Sequence, residues 1–534
     1  MRSKTKKNKS SKKEAAVKPQ VQAVRRSAAL QRTLAQELRP TSAQAVAFSI
    51  TPAVRDLPPS DKEPVPAAAW KDIKANPRKS IRFESETASA NAKDPVIQTS
   101  APTLNIPNPI VSFEGQNIFD TIAVGQGFLP PDTVGDVGPN HYVQAVNSTF
   151  RVWDKAGNPL TPVRSLGDLF STIPGPCAGD ESGDPIVLYD SYADRWLISE
   201  FCTVANPNNH QLIAISQTPD PTGAYYLYDF MMPNNKFNDY PKFGVWPDGY
   251  YMTDNQFNQA GTAFLGAGAF SFDRAKMIAG DPTASYIYFD LFNIDPSIGG
   301  VLPSDADGLN PPLAGAPNVF SYFIANEFGD ASDGLRLFDF HADFGTPANS
   351  TFTERAESPV AVAAFDPRTP PGRANIEQPG GTPLDSISDR LMHRLQYRNF
   401  GTHQSLIVNH TVNVGTGTTL ATHQAGVRYY ELRRTGATYG VNEQASFAPD
   451  TANRWMGSAA MDNQGNLAVG YSVSSSSIFP SVRYAGRLAG DPANGLFQGE
   501  ATMVAGGFFQ ANTSSRWGDY SAMNVDPTDD YLDC

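Results

Sequence analysis

Four arginines and three aspartates are the residues of this 534-residue chain best placed to act together on one small polar ligand. Arg394, Arg398, Arg454 and Arg516 stand in short apolar segments of the second half, and Asp136, Asp184 and Asp239 hold comparable places in the first. If those segments line a single cavity, a cationic sector faces an acidic one. Guanidinium groups grip a carboxylate through paired, planar hydrogen bonds, so the arginines could hold an acidic or zwitterionic sugar. Tyr520 near a carboxylate is then the candidate nucleophile, with Asp136 or Asp184 as the acid that protonates the leaving group. The opposing reading keeps the same arginines as ties between sheets, bound to carboxylates and backbone carbonyls.

A second constellation is Asp305-Ala306-Asp307-Gly308-Leu309-Asn310, with side-chain oxygens at alternate positions and a glycine where a tight loop needs one. Asp305, Asp307 and Asn310 could thus bind Ca2+, although the distal glutamate of a helix-loop-helix site is missing. Asp526, Asp529 and Asp530 form a weaker set of the same kind. No other cofactor is indicated. His403 and His410 are seven apart, so on one strand they face opposite sides and share a metal only across a turn. Nucleophile-elbow, phosphate-loop, His-Glu-x-x-His and Cys-x-x-Cys patterns are absent.

These residues need elements to carry them, and the chain supplies a repeat. A pair of alternating apolar segments recurs six times: HYVQAVN, RWLISEF, GYYMTDN, FSYFIAN, QSLIVNH and NLAVGYS open the pairs at positions 141, 195, 249, 320, 404 and 466. FRVWDK, LIAISQ, AFSFDR, LRLFDF, VRYYEL and VRYAGR close them. Period-two alternation marks half-buried strands, and a spacing of 54 to 84 residues suits a four-stranded unit. An inner segment precedes each pair and an outer one follows, with Asp-Pro corners at 220–221, 281–282 and 491–492. The expectation is an all-β fold, a β-propeller of seven four-stranded blades. Arg516-Trp517 echoes Arg454-Trp455 and opens a last blade that stays incomplete, since about 18 residues remain. Residues 109–128 are expected to close the ring beside 520–525, a six-bladed ring with a loose end being the competing reading. In a propeller the innermost strands converge on one channel, which is why the polar residues above are candidates.

Composition bounds the rest. Residues 1–107 read as a basic, low-complexity, mostly disordered tail, with one short helix over 27–39, and residues 108–534 as the propeller domain. The first 40 residues carry 12 Lys or Arg against Glu14 and Glu37, a net of +10; the whole chain is at −12, which leaves −22 on the body. Such a body is no nucleic-acid surface, because phosphate binding needs clustered cations. No run of 18 apolar residues could span a bilayer, and no apolar stretch of a secretory signal follows the basic start. Cys177 and Cys202 could pair in an oxidising compartment or remain two buried thiols, and Cys534 is left over. Trp196, Trp246, Trp455 and Trp517 occupy equivalent strand ends and should wedge between blades.

The strings NPIVSFEG (108–115), PPDTVGDVGPNHYVQAVN (130–147), GDPIVLYDSYADRWLISEF (183–201), HRLQYRNFGTHQSLIVNHTV (393–412) and RWGDYSAMNVDPTDD (516–530) resemble a largely uncharacterised family of secreted bacterial β-propellers, some labelled sialidase-like. The resemblance implies an extracellular or periplasmic protein. The Ser-x-Asp-x-Gly-x-Thr-Trp turn typical of sialidase blades does not occur here. The expected function is recognition of a glycan or protein ligand at the channel face, by a monomer. The alternative is a sialidase-like glycoside hydrolase acting on acidic sugars through the arginines and Tyr520.

Overall fold

The protein is described by a computed structural model over residues 38–60, 62–65, 71–72, 94–102, 104–203, 208–372, 374–512 and 514–530. The helix expected over 27–39 lies almost wholly outside these residues. Six four-stranded units follow one another along the described chain. Blade 1 runs Val134–Val137, His141–Val146, Thr149–Asp154, Arg164–Ser165, and blade 2 runs Ile186–Asp190, Arg195–Cys202, His210–Ser216, Tyr225–Met231. Blade 3 comprises Phe237–Trp246, Gly249–Phe257, Phe264–Phe272 and Ser285–Asp290, and blade 4 Leu302–Asp307, Asn318–Ile324, Gly334–His341 and Thr351–Glu354. Blade 5 comprises Leu391–Asn399, Gln404–Asn413, Ala425–Arg434 and Tyr439–Phe447, and blade 6 Asn453–Met461, Leu467–Ser474, Ser481–Arg487 and Glu500–Val504.

The first strand of each blade packs against the first strand of the next, from blade 1 through blade 6. Between blades 4 and 5 the contact is a parallel ladder of 304–307 on 395–398. The gap between blade 6 and blade 1 is filled by the C-terminal segment. There Met523 N donates to Ser458 Oγ (2.9 Å), Asn524 Nδ2 to Gly135 O (2.6 Å) and Asp132 N to Gly518 O (3.0 Å). Inner strands thus surround a common axis, and the fold is an all-β propeller.

Local chemistry explains the corners. In the loop 154–158 Asp154 Oδ1 accepts from the backbone N–H groups of Ala156 and Asn158, and Gly157 takes φ +85°. Asp462 does the same for Gln464 and Asn466, with Gly465 at φ +84°. Asp220 and Asp281 each accept from the N–H and hydroxyl of the threonine two residues on, turning the chain at the intervening proline. Side chains on the inward faces form the main hydrophobic clusters. Trp196, Trp246 and Trp455 are almost wholly buried, and the first two donate Nε1–H to the carbonyls of Pro219 and Ala316.

The N-terminal region adds short strands to the blades, and one expectation about ring closure needs correction. The tail is not uniformly without structure: Thr41–Gln44 adds antiparallel to the outer strand of blade 3, Ala47–Ile50 to that of blade 2, and Ile97–Gln98 pairs parallel with that of blade 5. Arg428 fixes the last of these through Asp94 at 3.1 Å. These outer edges offer unpaired backbone groups, and short extended segments satisfy them whatever their side chains. Residues 109–128 do not lie beside 520–525. They cover blade 1, where Gln116 N donates to Gln144 Oε1 (2.8 Å) and Asn117 caps the short helix Ile118–Ala123. Residues 516–526 carry no regular ladder, so the seventh position is occupied by a single irregular segment.

Candidate functional site

Inner strands of three blades carry most of the site. Bulges between Asp239 and Lys242, Met392 and Gln396, and Trp455 and Ser458 break three inner ladders. At such a bulge one strand bends and its side chains are re-aimed. From blade 5 the chain thereby presents Arg394, Gln396 and Arg398; blade 1 supplies Asp136, and blade 4 Asp305 and Asp307.

Arg394 is the hub. Its Nη1 donates to Asp305 Oδ2 (2.7 Å) and Asp307 Oδ1 (3.0 Å), its Nη2 to Asp307 Oδ2, and its Nε to Met523 O (3.2 Å). Gln396 Nε2 adds a bond to Asp307 Oδ2 at 2.7 Å. Arg398 Nη2 lies 2.6 Å from both oxygens of Asp530. Asp136 accepts from its neighbour Val137 N (2.8 Å) and, across the blade boundary, from Tyr189 N (2.7 Å). These groups border a cavity of about 340 Å³ whose walls include Asp136, Tyr189, Tyr192, Asp194, Asp307 and Asp530.

The carboxylates of this cavity are not equivalent. Burial pushes Asp136 up to about 8, against the pull of Arg394 and the Tyr189 N–H, with Asp305 and Asp307 adding repulsion. Burial also opposes ionisation of Asp307, but Arg394, Arg398 and Gln396 outweigh it and hold that carboxyl below its ordinary range. Asp305, deeper still, is displaced upward by burial. Two acids of one cavity therefore differ in protonation near neutrality, because Arg394 acts on Asp136 only by charge and burial prevails there, whereas Asp307 is also hydrogen-bonded by Arg394 and Gln396.

Several expected residues lie elsewhere. Tyr520 is 2 % exposed, donates its hydroxyl to Pro185 O (3.0 Å), and has Lys242 Nζ 3.6 Å from its ring centroid. Burial and the nearby Asp132 and Asp184 hold that phenol well above its ordinary value, so it is not placed as a nucleophile. Arg454 spans blade 6, paired with Asp450 (2.7 Å) and Glu500 (2.8 Å), while Tyr471 donates to the same Glu500. Arg516 pairs with Asp519, three residues on. Neither joins Arg394 and Arg398, so no four-arginine cluster exists; Arg394 is paired with Asp305 and Asp307, and Arg398 with Asp530 through Nη2. Asp184, buried at φ +52°, accepts from Tyr240 N (3.0 Å) and ties blade 2 to blade 3. Asp239 sits in the inner strand of blade 3, opposite Asn255 and away from the cavity walls.

The calcium expectation also changes. Residues 302–307 are an inner strand, Asp305 and Asp307 turn toward Arg394, and Asn310 is exposed beyond the strand end. A guanidinium already neutralises the oxygens a cation would need, so the set does not fit Ca2+. His410 bonds Tyr430 through Nε2 (3.0 Å) and His403 stacks on Phe400, so the two do not share a metal.

Tyr189, Tyr192 and Asp194 belong to the site and escaped sequence reading, and Asp530 joins them although the sequence marked it only as a weak cation ligand. The first three fall in YDSYAD, at the end of the inner strand of blade 2 and the turn after it. A polar turn directly following an inner strand is the signal that could have found them. Tyr189 donates its hydroxyl to Asp194 Oδ1 (2.6 Å), whereas the buried Tyr192 hydroxyl has no partner among the described residues.

Neither a protein-family model nor a curated protein matches the chain. Among solved structures it is similar to an endo-arabinase from Bacteroides thetaiotaomicron, at 12 % identity and a TM-score of 0.26 over 56 % of this chain and 92 % of that one. It is similar to an α-L-arabinanase from Penicillium chrysogenum complexed with arabinobiose, at 11 % identity and a TM-score of 0.34 over 72 % and 99 %. A Hadza microbial sialidase matches at 9 % identity and a TM-score of 0.23 over 70 % and 55 %. Likenesses this distant assign no activity. No helix among the described residues is long and apolar enough to cross a membrane.

Proposed function

We propose that the channel mouth binds a neutral or amine-bearing glycan. The observation that carries this reading is the cavity wall, where Tyr189 and Tyr192 stand beside Asp136, Asp194, Asp307 and Asp530. Carboxylates accept hydrogen bonds from sugar hydroxyls, and tyrosine offers an apolar face with a polar tip. Arg394 is held by Asp305 and Asp307, and Arg398 by Asp530 through Nη2, so an acidic sugar would meet a wall of carboxylates instead of a free arginine cluster. The disulfide between Cys177 and Cys202 supports an address outside the cytoplasm.

A second reading, hydrolysis of a glycoside, is favoured by the unequal pair Asp136 and Asp307. One acid held protonated and one held ionised in the same cavity is the division of labour such hydrolysis requires. Asp136 would protonate the leaving oxygen, and Asp307 would activate water or stabilise the developing positive charge.

Glycan-array binding followed by calorimetry tests the first reading. Neutral or amine-bearing glycans should bind, and Tyr192→Ala should weaken binding about tenfold, the loss of one buried polar and stacking contact. Binding restricted to acidic glycans would overturn it. Release of sugar by the wild type, lost in Asp136→Asn, would establish the second.

A further inference from the structure

Blade 2 holds a cluster of soft and hard metal ligands, none of which lines the cavity at the channel mouth. Cys202 ends one strand and lies directly opposite His210 on the next. His210 Nδ1 is 2.6 Å from Asp229 Oδ1, and both residues are buried. Potential ligand atoms of Cys177, His210 and Asp229 all lie within 4.8 Å of one another. Cys177 is bonded to Cys202, so a second sulfur sits beside the same three groups.

We propose that opening this disulfide creates a zinc site formed by Cys177, Cys202, His210 and Asp229. Two thiolates, an imidazole and a carboxylate are a tetrahedral donor set suited to Zn2+, and thiolates disfavour Mg2+ and Ca2+. While oxidised, the sulfurs are weak donors and the site is closed to metal. A dithiol of the surroundings supplies two electrons and two protons: the Cys177–Cys202 bond breaks, an S–S bond forms within the dithiol, and both cysteines become thiols. Zn2+ then displaces the two thiol protons to solvent with no further change of oxidation state.

The loop around Cys177 makes the bond reachable. Cys177 itself is buried, yet Gly175, Pro176, Ala178 and Gly179 are exposed. Within this turn the backbone bonds are short-range, Ala178 N to Gly175 O and Asp180 N to Cys177 O. Displacing one layer of chain therefore admits both the reductant and the ion.

The test uses full-length protein carrying Cys534→Ser, with Co2+ as a spectroscopic probe. Reduced protein should bind one Co2+ with a thiolate-to-cobalt charge-transfer band and tetrahedral d–d bands, and oxidised protein should not. His210→Ala or Asp229→Ala should weaken binding at least about tenfold. Cys202→Ser frees Cys177 without any reductant and should bind Co2+ with a weaker charge-transfer band, again dependent on His210. The proposal fails if reduced, folded protein shows no thiolate-cobalt band, or if binding survives both His210→Ala and Asp229→Ala. It fails equally if Cys202→Ser binds no metal, or unfolds and is not restored by Zn2+.

Discussion

Arg398 and Asp530, 132 residues apart, meet in a two-pronged ion pair with both side chains almost wholly buried, and this contact fastens the end of the described chain to blade 5. Removing one partner of such a pair strands the other charge. Asp530→Asn should therefore destabilise the fold by about 3–5 kcal/mol, read from denaturant melts. Arg398→Met combined with Asp530→Asn should cost less than the two single losses together, because they share one interaction.

Gly308 lies against the same pair. It adopts φ +90°, and a Cβ there would stand 2.7 Å from Arg398 Nη2. Gly308→Ala combines a left-handed alanine, at about 1–2 kcal/mol, with displacement of the guanidinium. Lower stability and weaker glycan binding should appear together in melting and calorimetry; an unchanged melting temperature would mean that the pair does not depend on this approach.

Asp136 gives the molecule a signature in pH. Its folded value near 8 lies above the ordinary value of 3.8, so between roughly pH 4 and 8 the folded chain holds a proton that the unfolded chain has released. Stability contributed by this group is thus fully present below pH 4 and is lost as pH rises toward 8. Asp254 and Glu327, both raised to about 7 by burial, add slopes of the same sign. Asp136→Asn should remove one share of that decline, so wild type minus variant stability falls with pH across the window in thermal scans. Parallel profiles would show that Asp136 is already ionised in the fold.

Tyr520→Phe separates a structural phenol from a reacting one. The variant loses one hydrogen bond to Pro185 O, a cost of about 1 kcal/mol. Glycan binding, and any sugar release, should persist at wild-type level. Loss of turnover with intact folding would restore the tyrosine to the chemistry.

Deleting residues 1–50 should expose the outer edges of blades 2 and 3. Tyr225–Met231 and Ser285–Asp290 would each lose a paired strand. A lower melting temperature and concentration-dependent association on size exclusion are expected, since open edges recruit other strands.

The blades were legible because alternation along RWLISEF or QSLIVNH, punctuated by Asp-Pro and Asp-Gly corners, is a local property. The inner strand at 302–307 was not, because Pro303, Ser304, Asp305 and Asp307 look like a loop until the parallel ladder with 395–398 forms. Thr41–Gln44 escaped for the same reason: its side chains are exposed, and only the backbone of blade 3 makes it a strand. At the site, Asp136, Arg394 and Arg398 could be placed on inner strands from the repeat. Which acid each arginine meets could not, since Arg454 and Arg516 differ from Arg394 only in what the surrounding chain brings to them. Asp530 reaches Arg398 from 132 residues further on, past blade 6 and the closing segment, a separation that no local pattern records.

The arm at 41–50 crosses from blade 3 to blade 2 on their outer rims, pairing with residues 285–288 and 226–229. Ribosomes make that arm before either docking partner, the edge at 226–229 following it by about 180 residues and that at 285–288 by about 240. Its second half can dock on blade 2 while its first half waits for blade 3, and the completed pairing fastens the two to each other like a strap drawn across adjoining staves of a barrel.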